Sequence, residues 1–226
     1  MTTSGTITFD LTALEVVTQA YRNIGIYGAR ESLNSEDYAI GQQKLNLMFK
    51  SWQMLGVQMH NRAEQTVSLV DGTQVYTLST RPARVENVRF AVDGVERYPM
   101  TEWAREDWDR LPAKTSEGTP VVYVIDRLIA STTLTVWKVP DVPSGETWTL
   151  KVSYERVPED VTAASQTLDI PQEWLEGVID NLSIRIAPGH YVEPAIYAEV
   201  KERAFIWLNQ MIGNDRQGYV RFEVGA

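Results

Sequence analysis

The sequence predicts an α+β chain: a discontinuous four-helix bundle built from both ends, an inserted mostly antiparallel β-domain, and an extended C-terminal tail. Three observations predict it. Apolar residues recur at intervals of three and four over the first sixty residues and again after residue 170. Between these stretches, from about residue 65, the apolar period falls to two. Each helical pair carries one-sided stripes that it cannot bury alone, so the economical solution joins the pairs. The boundaries that follow are 1–64 and 158–213 for the helical bundle, 65–157 for the β-domain and 214–226 for the tail.

Asp10 or Thr12 is placed to cap a first helix whose apolar residues Leu14, Val17, Tyr21 and Ile24 recur at three and four, with Gly25 and Gly28 behind it. Ser35, followed by Glu36 and Asp37, starts a second helix. Here Tyr38, Gly41, Leu45, Met48, Trp52 and Leu55 form a seam that Gly56 closes. Ile40, Leu47 and Met54 add a second stripe, which predicts neighbours on two sides and a central place for this helix.

TVSLV-DG-TQVYTL and VENVRFAV-DG-VERYPM each read as a hairpin, because Asp-Gly accepts the positive φ values of a two-residue turn between alternating strands. PVVYVID, TLTVWKV and TWTLKVSYERV are further strands, rich in β-branched and aromatic residues. Between them TEWAREDWDRL is expected to form one short helix capped by Thr101.

A polar stretch, PEDVTAASQTLDIP, leads back to helices. Trp174, Val178, Leu182 and Ile186 line one face of the third. Tyr197, Val200, Ala204, Trp207 and Met211 line one face of the fourth, which Gly213 is expected to end. The intervening RIAPGHYVEPA is stop, turn and restart. Pro188 cannot continue a helix, Gly189 tolerates positive φ, and Pro194 suits a first helical turn with Glu193 at its positive end. So short a turn makes the two helices neighbours. The tail NDRQGYVRFEVGA has too few apolar residues for a core of its own and is expected to order on a partner.

Composition narrows the function. The formal charge of −9 has the wrong sign for a protein that grips phosphates through a basic surface. Cysteine is absent, which removes disulfides, thiolate metal sites and cysteine nucleophiles. No run of eighteen apolar residues and no basic-then-apolar start exist, so neither a membrane span nor an export signal is expected.

Catalytic signatures are equally scarce. There is no HExxH, GxSxG or phosphate-binding glycine loop. His60 and His190 fall at helix ends in polar surroundings and read as solvated. The densest polar segment places Glu102, Glu106 and Asp109 at i, i+4 and i+7 beside Trp103 and Trp108. Paired carboxylates with an aromatic platform are what a cell-wall glycosidase uses, and Trp103, Trp108, Trp137 and Trp148 would equally suit a carbohydrate-binding module. The plainer reading is an exposed amphipathic helix pinned by its tryptophans. No catalytic, metal or cofactor set emerges, and the chain is expected not to be an enzyme.

The helical frame VVTQAYRNIGI, SEDYAIGQQKLNLMFKSWQMLGV and EGVIDNLSIRIAPGHYVEPAIYAEVKERAFIWLNQM resembles the head-to-tail adaptor family of short-tailed bacteriophages, also known as tail accessory or packaged-DNA stabilisation proteins. RIAP followed by a short turn and a second helix is the most specific piece. The likeness covers about half the chain, and the insert is similar in arrangement to tail tubular protein A. The resemblance implies a ring of twelve copies beneath the portal protein in the virion, assembled in the host cytoplasm. Such a ring extends the channel for packaged DNA, helps retain it, and offers a platform to the tail nozzle or tail tubular proteins. It further implies a C-terminal segment reaching along the portal, here carrying Tyr219, Val220, Arg221, Phe222 and Val224. Their alternation with polar neighbours suits an added strand or extended arm.

Overall fold

Thr12 opens the first helix with a reciprocal pair of hydrogen bonds. Its hydroxyl accepts from the Glu15 backbone N–H at 3.3 Å, while the Glu15 carboxylate accepts from the Thr12 N–H at 2.8 Å. In the computed structural model, which describes residues 5, 9–55, 57 and 62–214, the chain divides into two compact units. One comprises Met1–His60 with Pro158–Ala226, the other Asn61–Val157.

In the first unit, α1 (Ala13–Asn23) buries Ala13, Val16, Val17, Ala20 and Tyr21. Val17, Tyr21 and Ile24 of the expected seam are buried, and only Leu14 lies on the rim, 41% exposed, where Ala13 and Val16 take its place. The second helix, α2 (Ser35–Met54), starts at Ser35 as expected and is capped by Asn34, whose side-chain oxygen accepts from the Asp37 N–H at 2.7 Å. Gly41 brings α2 against α1. A Cβ built there would stand 2.3 Å from Cγ1 of Val17, so only glycine lets the two backbones approach this closely.

A 3-10 turn, Gln172–Trp174, leads into α4 (Leu175–Ile186), which follows the short α3 (Arg105–Arg110) of the other unit in chain order. Nine of its twelve residues are buried, and it packs against α1, α2 and also α5 (Pro194–Asn214). The central helix is therefore α4, not α2. Polar groups on its inner faces are all satisfied. Ser183 donates to the carbonyl of Ala20 at 3.0 Å and of Ile179 at 2.8 Å, and Asn181 donates to Gly177 at 2.8 Å and Ala204 at 3.0 Å.

The break works as predicted at both ends, with one difference between them. α4 stops at Ile186, Ala187–Gly189 makes a 3-10 turn, and Pro194 is the first residue of α5. Gly189 does not take positive φ. α5 also runs through Gly213 to Asn214 rather than ending there. Gly177 lies against Trp207 and Met211 while Asn181 reaches Ala204, so the two helices run antiparallel.

The polar connection before α4 is bound into this core. Val161 and Leu168 are buried, and the Val161 carbonyl accepts from Gln42 at 2.8 Å and Asn46 at 3.0 Å, both on α2. Asn46 also accepts from the Val161 N–H at 2.9 Å, and Lys50 pairs with Asp160 at 2.6 Å.

The second unit holds two four-stranded sheets over a shared core. One has the order β1 (Arg62–Ser68), β10 (Trp148–Arg156), β3 (Pro82–Val92), β4 (Val95–Pro99). The other has the order β2 (Val75–Thr77), β8 (Thr132–Trp137), β7 (Val122–Arg127), β5 (Thr101–Glu102). β6 (Glu117–Gly118) and β9 (Val139–Pro140) form a short parallel pair. Val88, Phe90, Leu134, Val136, Leu150 and Val152 fill the core, with Phe90 stacked on Tyr98 at 5.3 Å and meeting Trp148 edge-on at 5.2 Å.

Only one of the two expected hairpins forms. Asp93 and Gly94 both take positive φ, 49° and 79°, and join β3 to β4 with Val92 opposite Val95. At the other site only Gly72 does so. Asp71 instead accepts from the Val142 N–H at 2.9 Å, Gly72 donates to Pro140, and β1 and β2 enter different sheets. The helix expected over TEWAREDWDRL is shortened for a similar reason. Thr101 and Glu102 pair in parallel with β7, so α3 (Arg105–Arg110) begins later, and Ala104 at its N-cap makes no side-chain bond.

Candidate functional site

The tryptophan- and acid-rich segment of the sheet unit does not gather into a catalytic site. Glu102 lies on β5, Glu106 and Asp109 on α3, and all three are exposed. Arg105 contacts Asp109 at 3.5 Å and Asp126 at 2.8 Å, and Lys114 stands 4.0 Å from Asp109. Exposed pairs of this kind solvate a surface and leave no carboxyl in an apolar pocket. Trp108 and Trp148 are buried, and Trp103 stacks on Trp137 at 5.9 Å, so the aromatic groups mostly serve packing. Burial raises the Tyr123 hydroxyl to about 12, with Glu102 adding to the effect, which makes it a hydrogen-bonding group and not an acid at neutral pH.

On one face of the β1-β10-β3-β4 sheet, Arg89 bonds Glu64, reaches Glu96 at 3.0 Å and donates to Ser153 at 3.2 Å, while Lys151 meets Glu96 at 3.1 Å. The Lys151 hydrogen bond foremost, with Arg89, holds the Glu96 carboxyl below its ordinary range. The signs balance, and the shallow cleft bordered by Arg62, Asn87 and Arg89 is no anion trap. Among the described residues no cluster of His, Asp and Glu is arranged to hold a metal ion.

The helical unit offers two kinds of feature. Asp180 is buried on α4 and accepts from Asn23 at 3.0 Å and from Arg203 at 3.2 Å, tying α1, α4 and α5 together. That bond to Asp180 is the main reason the Arg203 guanidinium is raised above its ordinary value. The triad floors an open groove of about 470 Å³ bordered by Phe9, Leu11, Gln19 and Ile179. With its charges already paired, it acts as a structural clamp. Likewise Tyr21, raised to about 12 by burial and then by Asp37, donates to the Asp37 carbonyl at 3.0 Å. His190, expected to be solvated, meets the Tyr21 ring edge-on at 5.4 Å.

The other feature is uncovered apolar surface. Ile40, Leu47 and Met54 on α2 are 41, 56 and 91% exposed, and Phe205 and Ile206 on α5 are 66 and 48% exposed. A soluble chain seldom leaves such stripes on helices unless something covers them. The second stripe of α2 is thus real, and nothing within the chain's described residues buries it. Sequence periodicity found this stripe; its partner lies beyond what periodicity reveals.

Residues 13–219 match the family model described as SU10 adaptor protein. The chain belongs to the SU10 adaptor protein family. The match runs from the first residue of α1 past the end of α5, so all five helices and the whole sheet unit lie within the span of this phage adaptor family. The SU10 adaptor role is structural, that of a virion component, and fits a molecule whose notable surfaces are apolar helix faces. No curated protein matches the chain. No helix among the described residues is long and apolar enough to cross a membrane. Of the tail residues singled out from the sequence, Tyr219 is the last inside the match and Val220, Arg221, Phe222 and Val224 fall beyond it; all five lie outside the described residues.

Proposed function

We propose that this adaptor is the head-to-tail connector of a short-tailed phage. The family match from α1 past α5 carries the reading. Residues 1–64 and 158–213 act as a four-helix bundle and residues 65–157 as an inserted β-domain, arranged as in adaptors like tail tubular protein A. Twelve copies form a ring that seats on the portal, extends the DNA channel, helps retain the packaged genome and presents a platform for the tail. The acidic balance of −9 per chain supports passage of DNA, because a lining poor in cations forms no lasting phosphate pairs. The alternation of Tyr219, Val220, Arg221, Phe222 and Val224 supports a segment that orders as it docks on the portal.

Purified protein mixed with the portal protein of the same virus is expected to give a stoichiometric ring complex in electron micrographs. Deleting residues 214–226 is expected to weaken that complex while the helical melting transition remains. A full-length chain that fails to bind portal overturns the reading, and a truncated chain that binds as well as the intact one overturns the role of the tail.

A further inference from the structure

The hairpin of β7 and β8 ends in a tip that folding does not explain. Arg127 pairs with Thr132 as the last rung, the Leu128 N–H donates to the Ser131 carbonyl at 2.9 Å, and Ile129 and Ala130 are left at the apex. Turn centres favour glycine, proline, asparagine or aspartate, as Asp93-Gly94 and Gly145 show in the same unit. Here they are aliphatic and reach no core. Ile129, 93% exposed, is the barest large apolar side chain among the described residues, and Leu128 beside it is 52% exposed. A local rule broken with no gain in packing points to function.

The same tip is cationic. Arg81, from the loop between β2 and β3, donates to the Ile129 carbonyl at 2.8 Å, which fixes its guanidinium beside the apex with further N–H groups to spare. Arg127 stands exposed at the base, and neither arginine joins an ion pair among the described residues. Residues 78–82 and 127–131 hold no carboxylate, and the nearest in sequence, Asp126, is taken by Arg105 at 2.8 Å. Across the ladder to β10, Pro82 faces Arg156 and Arg84 faces Glu155, so that side adds no net negative charge. In a chain of net charge −9, two unpaired arginines around an aliphatic knob fit a partner that is anionic at its surface and apolar beneath.

A bilayer has that make-up. A DNA duplex offers phosphates, but parting its base steps with aliphatic wedges costs stacking that only a broad basic wrapping surface repays, and the acidic balance of this chain supplies none. Single strands stack on aromatic rings, which the two loops lack. Acyl chains part for a convex apolar knob, and headgroup phosphates lie where guanidinium forks can meet them. We infer that the apex is a lipid-inserting tip: Leu128 and Ile129 enter the acyl boundary of an anionic bilayer while Arg81 and Arg127 hold its phosphate headgroups. Carboxylates elsewhere on the chain are screened beyond about 8 Å at physiological salt. One tip binds weakly, and several carried on one assembly bind together far more tightly.

The test uses the full chain. Because it has no cysteine, Ile129→Cys carries a single environment-sensitive fluorophore. With vesicles of equal parts phosphatidylglycerol and phosphatidylcholine, its emission is expected to rise and shift to the blue. The same label on Val95→Cys, past the far end of β3 from Arg81, should stay as in water. In sedimentation with these vesicles, the double variant Leu128→Ser, Ile129→Ser is expected to bind roughly tenfold less than wild type or weaker, and Arg81→Gln and Arg127→Gln each about fivefold less. Circular dichroism melts should not change, since all four side chains are exposed. Vesicles of phosphatidylcholine alone should bind wild type no better than the anionic ones bind the arginine variants. A label at Ile129 that stays aqueous, a serine variant that sediments like wild type, or duplex DNA that shifts the label where vesicles do not, overturns the inference. Such a failure leaves the portal reading standing, and a chain that ignores the portal yet carries its label into vesicles overturns that reading alone.

Discussion

The sheet unit draws its core from one unbroken stretch, Asn61–Val157, whereas the helical unit assembles its core from two stretches separated by that whole span. The sheet unit closes through ladders such as β3 with β10 and buries Phe90, Leu134 and Leu150 without help from distant sequence. The helical unit depends on α4, whose inner faces are finished by Ala20 on α1 and Ala204 on α5. The difference teaches that an apolar stripe and a core are not the same thing. α1 and α2 carry convincing stripes, yet their partner lies more than a hundred residues onward.

The largest effect that tests this contrast is all-or-none. A fragment of residues 1–64 is expected to show little cooperative melting by circular dichroism, while residues 61–157 melt as a unit and a chain with residues 65–157 replaced by a short glycine bridge keeps a cooperative helical transition. A folded 1–64 fragment would break the comparison. A smaller effect probes the tightest contact between helices. Gly41→Ala drives a methyl into Val17 and is expected to destabilise the helical unit by about 1–3 kcal/mol in urea titration, with Val17→Ala relieving much of the loss.

The smallest effect lies at the Thr12 cap. The Thr12 backbone N–H, and after it the Thr12 hydroxyl, holds the Glu15 carboxyl below its ordinary 4.5. A lowered folded-state value means stability that is present above 4.5 and lost as pH falls through the folded value. Thr12→Ala is therefore expected to lower the helical melting temperature near neutral pH, and the gap from wild type should narrow as pH drops below that range. Because an alanine keeps the backbone N–H, a gap that stays constant into acid would remove the hydroxyl's hold on Glu15 from the account.

Much of this was legible locally. The Thr12 cap, the seams of α4 and α5, the α2 seam from Tyr38 to Trp52 and the Asp93-Gly94 turn all depend on residues within one or two turns of each other and formed where spacing put them, while Leu55, expected to extend the α2 seam, is 58% exposed past the end of the helix. The misses share a different cause. Asp71-Gly72 carries the same dipeptide, but the Val142 N–H, 71 residues away, claims the Asp71 carboxylate. Thr101 was a good cap until β7 offered its backbone a ladder. The centrality of α4 was hidden because Asp180, Asn181 and Ser183 look like a solvated face, and only their distant partners make them interior. The candidate surfaces were half legible: periodicity exposed the second stripe of α2, while Phe205 and Ile206 looked like ordinary helix.

The grip of Gln42 and Asn46 on the Val161 carbonyl has a consequence for biosynthesis. Asn46 leaves the ribosome 115 residues ahead of the group it holds, and at about 5–20 residues per second that is a wait of roughly 6–23 seconds. During that interval the leading helices stand with greasy flanks bare while the middle of the polypeptide is still emerging. The nascent chain is thus a natural client for holding chaperones, and its yield in a host should track their supply.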